Sequence, residues 1–224
     1  MNFLSHYYFD RTSDDAYVVM GTVLPDLIKN ASKEANLYPQ KNEFLFKGNP
    51  DEESLLMGWK RHLAVDLLFH SSAFFLEKTT ALKQLIKPIV EDTAVRPSFL
   101  AHIGLELLLD HLLVEQNLIQ VNHFYDKLEK VKKDSLSDFL EHCKLKNPEI
   151  FFGFLTKFIS SKYLLSYQKL ENISYALNRI CMRVWPETLS ERQLNLLTLE
   201  LGIFKAVLQK DFMEIFEEIE KKLI

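Results

Sequence analysis

Cysteine, glycine and proline are all scarce in this chain of 224 residues, which has two, six and seven of them respectively. Cys143 and Cys181 stand far apart with no second thiol near either, which excludes a disulfide framework and a thiolate metal knuckle. A reduced, cytoplasmic setting is expected. Charge of one sign is not in excess either. The formal net charge is −4, so the concentrated basic face of a nucleic-acid binder is missing. Lys127, Lys130, Lys132 and Lys133 are interleaved with Asp126 and Glu129 and read as a solvated helix face. No run approaches the ~20 apolar residues needed to span a bilayer, and MNFLSHYYFD lacks the basic region and apolar core of a signal peptide. No membrane role and no nucleic-acid partner are expected.

What the chain does have is helical pattern. Its residues are 47% hydrophobic and 26% charged, enough for one sizeable core, and its Leu, Phe, Glu and Lys recur at helical rather than alternating spacing. No repeat or Gly/Ser linker divides it. The expectation is an all-α, single-domain helical bundle over residues 1–224. Asn49-Pro50 followed by Asp51, Glu52 and Glu53 starts a helix that reaches about His70. Arg96-Pro97-Ser98 opens a second that runs to about Gln116. Others are expected near 13–22, 73–92, 121–132, 148–169, 171–184 and 190–222, the last with a Ser190/Gln193 capping box. Residues 30–48 are polar and mixed, and read as a loop or lid. Phe151, Phe152, Phe154 and Phe158, with Tyr163 and Tyr167, read as ordinary core packing, and Trp59 and Trp185 need no functional role. The stripe Phe212, Ile215, Phe216, Ile219, Leu223 within Asp211–Ile224 predicts an amphipathic helix that closes the core or forms a homodimer contact.

Two of these helices carry ionisable residues at i, i+4, i+8 inside apolar sequence: His62, Asp66, His70 and His102, Glu106, Asp110. That spacing stacks three side chains up one face, where desolvation is costly unless they meet each other or a cation. One His–carboxylate pair would be satisfied by a plain hydrogen bond. Two triplets bring several carboxylates together, and a divalent ion removes the conflict between like charges. Mixed imidazole and carboxylate donors suit Mn, Fe or Zn better than Ca. His6 and Asp26 are further donors, each equally readable as a core histidine and an N-cap.

The segments MNFLSHYYFD, MGTVLPDLIKN, GWKRHLAVDLLFHSS and LELLLDHLLVEQ, in that order, resemble the bacterial acyl carrier protein phosphodiesterase family, mainly over the first 120 residues. That family is similar to the all-helical, metal-dependent HD-type phosphohydrolases. The resemblance implies hydrolysis of the phosphodiester joining 4′-phosphopantetheine to a serine of acyl carrier protein, with Mn or Mg as the first-choice cofactor and Fe or Zn as alternatives. By motif position it puts His6, Asp26, His62, Asp66, Asp110 and His111 in the site, and a carboxylate is familiar at Glu106. His6, Asp26, His62, Asp66 and Asp110 are expected as metal ligands. His111 is expected to touch substrate or leaving group, and His70 or Glu106 to orient water.

The chain departs from the family pattern at three places. Leu63 stands where an arginine follows the histidine, removing a guanidinium suited to phosphate. His70 replaces an acidic residue, and Thr22 an asparagine. Acyl carrier protein is strongly acidic and calls for local basic residues, for which Lys29, Lys33, Lys60 and Arg61 are candidates. The alternatives are a diverged phosphohydrolase acting on a nucleotide or other small phosphoester, and a helical binding module without catalysis.

Overall fold

The computed structural model describes residues 1–185 and 189–223, and these contain helices and no β-strand. The helices are α1 Phe3–Tyr8, α2 Ala16–Ala31, α3 Pro50–His70, α4 Ala73–Val90, α5 Pro97–Glu115, α6 Val121–Lys130, α7 Lys133–His142, α8 Pro148–Ser161, α9 Leu170–Cys181, α10 Glu191–Leu208 and α11 Met213–Lys222. Short 3-10 turns lie at Pro39–Lys41, Glu43–Phe46 and Tyr163–Gln168. The chain forms two compact units interleaved in sequence. The first comprises Met1, Leu67–Leu118 and Ser166–Ile224; the second comprises Asn2–Asp66 and Ile119–Leu165.

In the second unit, the start of α3 follows from its sequence. Asn49 Oδ1 accepts from the Asp51 and Glu52 amides at 3.2 and 3.5 Å, and its Nδ2 returns a bond to Glu52 at 2.7 Å, satisfying donors that a helix start leaves open. Asp15 caps α2 in the same way, accepting from Tyr17 and Val18. Helices α2 and α3 meet backbone to backbone at Gly21 and Gly58. A Cβ built at Gly58 would lie 2.7 Å from the Thr22 nitrogen, and one at Gly21 would lie 3.0 Å from the Gly58 Cα. Only glycine permits that approach. Phe158 of α8 packs on Phe3 and Tyr125, with ring centroids 5.0 and 5.7 Å away, which is core packing.

In the first unit, α4, α5, α9 and α10 pack together. Helix α5 is buried nearly all round, with Leu100, Leu105, Leu108, Leu109, Leu112 and Leu113 at 1% exposure or less. It is also 19 residues long with a mean hydropathy of 1.3, so a segment of membrane-spanning length and apolarity does exist, contrary to the sequence reading. Two thirds of it is buried inside the protein, as the core helix of a globular unit is. Trp185 packs edge-on against Phe99. The Ser190/Gln193 capping box is formed.

Several expected elements differ. Helix α2 runs through Pro25 to Ala31 rather than ending near residue 22. Its buried run from Val18 to Ile28 outweighs the ~3 kcal/mol that an interior proline costs. Helix α8 stops at Ser161, because Lys162 takes a left-handed conformation at φ 45°. Helix α7 was not expected; its buried Leu136, Phe139 and Leu140 hold it. The long C-terminal helix is two, α10 and α11, with Ile215, Phe216 and Ile219 buried; Ile224 lies outside the described residues. The 30–48 segment is pinned by Phe46, which is 1% exposed and 4.8 Å from the Phe139 ring.

Candidate metal centre

Three expected ligands meet in the second unit. His6 on α1 and His62 and Asp66 on α3 bring donor atoms within 4.8 Å of one another. The imidazoles of His6 and His62 stack with centroids 3.9 Å apart and planes 19° from parallel. Asp66 faces both, with Oδ1 3.2 Å from His6 Nε2 and Oδ2 3.5 Å from His62 Nε2.

The state of His62 follows from its partners. Its Nδ1 lies 2.9 Å from the Thr22 carbonyl, and a carbonyl only accepts, so Nδ1 carries the proton. Burial, reinforced by the charge of neighbouring His6, pushes the pKa of His62 down to about 3, so the ring is neutral. Its Nε2 therefore presents a lone pair toward Asp66. That carboxylate stays ionised: burial opposes ionisation, but hydrogen bonding and charge from His6 prevail and hold its pKa well below the usual range. A lone pair and a carboxylate aimed at one point can hold a cation in place of the charge on His6, and a histidine whose Nδ1–H is tied to a carbonyl is the usual form of a metal-ligating imidazole.

The holder of that carbonyl is in turn held. Asp10, 3% exposed, accepts from Thr22 Oγ1 at 3.0 Å and from Arg61 at 2.7 Å. Arg61 is thereby committed to Asp10. The lysines considered for carrier-protein docking also have local partners, Lys60 on Glu43 at 2.7 Å and Lys29 on Asn36 at 2.6 Å. Asp26 is half-buried on α2, four residues beyond Thr22 and so one turn along the same face.

The remaining expected residues lie in the first unit. His70 Nε2 is 3.2 Å from His102 Nε2 and 3.2 Å from Glu106 Oε1, and His102 Nε2 is 3.1 Å from that same oxygen. The Met1 ammonium is 3.2 Å from it as well. Burial opposes the ionisation of Glu106, but that ammonium and the bonds from His102 and His70 hold its pKa well below the ordinary range. Asp110 is fully buried on α5, one turn beyond Glu106. His111, 1% exposed, donates from Nδ1 to the Tyr167 carbonyl at 2.6 Å, with Nε2 3.7 Å from Glu115. Glu115 is held by Lys205 at 2.6 and 2.8 Å.

Residues absent from the expected site are His102, Thr22 and Asp10. His102 was legible as the i−4 neighbour of Glu106. The Thr22 carbonyl was not, because a backbone acceptor carries no residue signature, and nor was Asp10, whose bonds to Thr22 and Arg61 join positions 12 and 51 residues away.

Comparison with known proteins agrees with the motif resemblance and extends it. The family model for acyl carrier protein phosphodiesterase matches residues 1–219, well past the first 120 residues where the motifs lie. No curated protein and no solved structure matches the chain. Matched over almost its full length, the chain belongs to the acyl carrier protein phosphodiesterase family.

Proposed function

We propose that this protein is a metal-dependent phosphodiesterase that releases 4′-phosphopantetheine from holo acyl carrier protein. The observation that carries metal dependence is the neutral His62, whose Nε2 lone pair faces the ionised Asp66 with His6 stacked beside it. His6, His62 and Asp66 would hold the ion, and Asp26 is the further carboxylate of the same unit. The ligand role that the family resemblance gives Asp110 is tested separately by Asp110→Asn and its metal content.

A divalent cation held there supplies positive charge against the phosphoryl oxygens and lowers the pKa of water toward neutrality. Mn or Mg is the first choice, with Fe or Zn the alternatives for a mixed imidazole and carboxylate set. The chain's own groups do the rest. The Thr22 carbonyl fixes the tautomer and orientation of His62, and Asp10 fixes Thr22. His111 holds the Tyr167 carbonyl through Nδ1 and would reach substrate or leaving group through Nε2, which lies 3.7 Å from Glu115. His70 and Glu106, expected to orient water, contact each other at 3.2 Å through one carboxylate oxygen.

A second reading, hydrolysis of a small phosphoester, is favoured by one observation. Leu63 removes the arginine of the family pattern, and Arg61 is turned to Asp10, which leaves phosphate without a guanidinium from this stretch of α3. The test is chelator-stripped protein incubated with holo acyl carrier protein, with Mn²⁺ or Mg²⁺ restored, and products read by mass. Release of phosphopantetheine that needs the ion and is lost in Asp66→Asn supports the proposal. Hydrolysis of small phosphodiesters with holo carrier protein untouched supports the second reading.

A further inference from the structure

We propose that His70, His102 and Glu106 form a second divalent-cation site, in the first unit, of the two-histidine, one-carboxylate type. The inference stands on this cluster alone and does not need the phosphodiesterase reading. Its three donor atoms, one from α3 and two from α5, form a nearly equilateral triangle with edges of 3.2, 3.2 and 3.1 Å. Ligands about 2.0–2.1 Å from a zinc-sized ion, at mutual angles of ~90–110°, stand roughly 2.8–3.4 Å apart. The triangle has those dimensions.

A network of protons alone explains the same geometry poorly. If both imidazoles donate from Nε2 to Glu106 Oε1, two N–H dipoles point side by side across 3.2 Å. If one donates to the other instead, the acceptor's lone pair is used and only one imidazole can serve the carboxylate. A cation satisfies all three lone pairs at once. The donor set, two imidazoles and one carboxylate, is that of catalytic zinc sites, which keep an open position.

That open side exists. The side chains of His70 and His102 are 32% and 41% exposed, whereas that of Glu106 is 11% exposed. His102 forms part of the wall of a cavity of about 220 Å³, together with Phe75, Thr79, Thr80, Lys83 and Ser98. An ion therefore has a route in, and the cavity leaves room for a small ligand beside it. The Met1 ammonium is a rival for Glu106 Oε1 at 3.2 Å. An ion at the site takes the place of that ammonium on the oxygen.

The experiment uses the full chain, stripped with a chelator, titrated with Zn²⁺ and Co²⁺, and measured for metal content by mass spectrometry. Wild type takes up about two Zn²⁺ per chain, and His102→Ala and His102→Gln about one, with the ion lost on Asp66→Ala still bound. The visible Co²⁺ spectrum of wild type contains a component missing from both His102 variants. Far-UV circular dichroism checks that each variant is folded, and the wild-type stoichiometry decides the matter if neither is. The proposal is overturned if wild type holds no ion beyond the one that Asp66→Ala removes, or if folded His102 variants bind Zn²⁺ with unchanged stoichiometry and affinity. Failure of Asp66→Ala to lose an ion counts instead against the first centre.

Discussion

Replacing Gly58 by alanine is the substitution that most directly separates the scaffold from its chemistry. The added Cβ would run first into the Val18 carbonyl oxygen, and would stand 2.7 Å from the Thr22 nitrogen and 2.9 Å from the Gly21 carbonyl carbon, all backbone atoms that no rotamer change can move. Restoring ordinary contact at about 3.4 Å requires α2 and α3 to part by roughly 0.7 Å at Thr22 alone. The His62 Nδ1 to Thr22 carbonyl bond, 2.9 Å long, then stretches to about 3.6 Å, which is no longer a hydrogen bond. Overpacking costs about 1–3 kcal/mol, and loss of the bond to a buried ring adds about 1 kcal/mol. At 2–4 °C per kcal/mol for a chain of this size, Tm should fall by roughly 5–15 °C. Metal affinity should fall with it, because freeing the outer hydrogen bond of a ligating histidine typically costs ~10–100-fold. Thermal unfolding by circular dichroism and a Zn²⁺ titration read both effects. Gly153→Ala is the control: its Cβ meets nothing within 4 Å, so the variant should be neutral or up to ~1 kcal/mol more stable. A Gly58→Ala protein with unchanged Tm and unchanged metal affinity would refute the reasoning.

Other outcomes follow from single contacts. The folded pKa of His62, about 3, lies below its unfolded value of about 6.5, so the group's contribution to stability is complete above the unfolded value and is lost as pH falls from about 6.5 toward 3. The loss reaches roughly 2 kcal/mol at pH 5. Denaturant titrations of the metal-stripped protein at pH 5 and 7.5 should show it, and His62→Gln should reduce the difference. Ser190→Ala removes the hydroxyl that accepts from the Gln193 amide at the start of α10, leaving the backbone half of the capping box, and should cost about 1 kcal/mol in urea unfolding. Burial pushes the Cys181 thiol up to about 11, and burial with the Glu52 charge pushes Cys143 up to about 12. Neither should react with a thiol reagent at pH 8 before unfolding, and rapid labelling of native protein would contradict those environments.

The parts of the fold legible in the sequence were those written in side chains. The start of α3 was declared by Asn49, Pro50 and three acids, and that of α10 by Ser190 and Gln193. The polar columns of α3 and α5 were visible from their spacing. What stayed hidden was decided by packing or by backbone. Pro25 argued for a helix end, yet burial of α2 on both sides of it carries the helix to Ala31. The break at Lys162 is a left-handed residue of a type that does not favour that conformation, and the lysines around Val131 masked the short apolar face of α7. Within the site, His6, His62 and Asp66 were identified by motif and meet as contacts. The role of Thr22 lies in its carbonyl, which any residue would supply, so only coordinates show it. His102 was visible as the start of the second triplet, but its contact with His70 runs between helices, which spacing along one helix does not fix.

Anomalous diffraction from crystals of the Mn²⁺-loaded protein tests the central claim most directly. A manganese peak is expected about 2.0–2.3 Å from His62 Nε2 and an Asp66 oxygen, with His6 alongside and the Thr22 carbonyl still holding Nδ1. Protein that takes up no ion at His62 and Asp66 under saturating Mn²⁺, whether or not a peak stands at His70, His102 and Glu106, would contradict it.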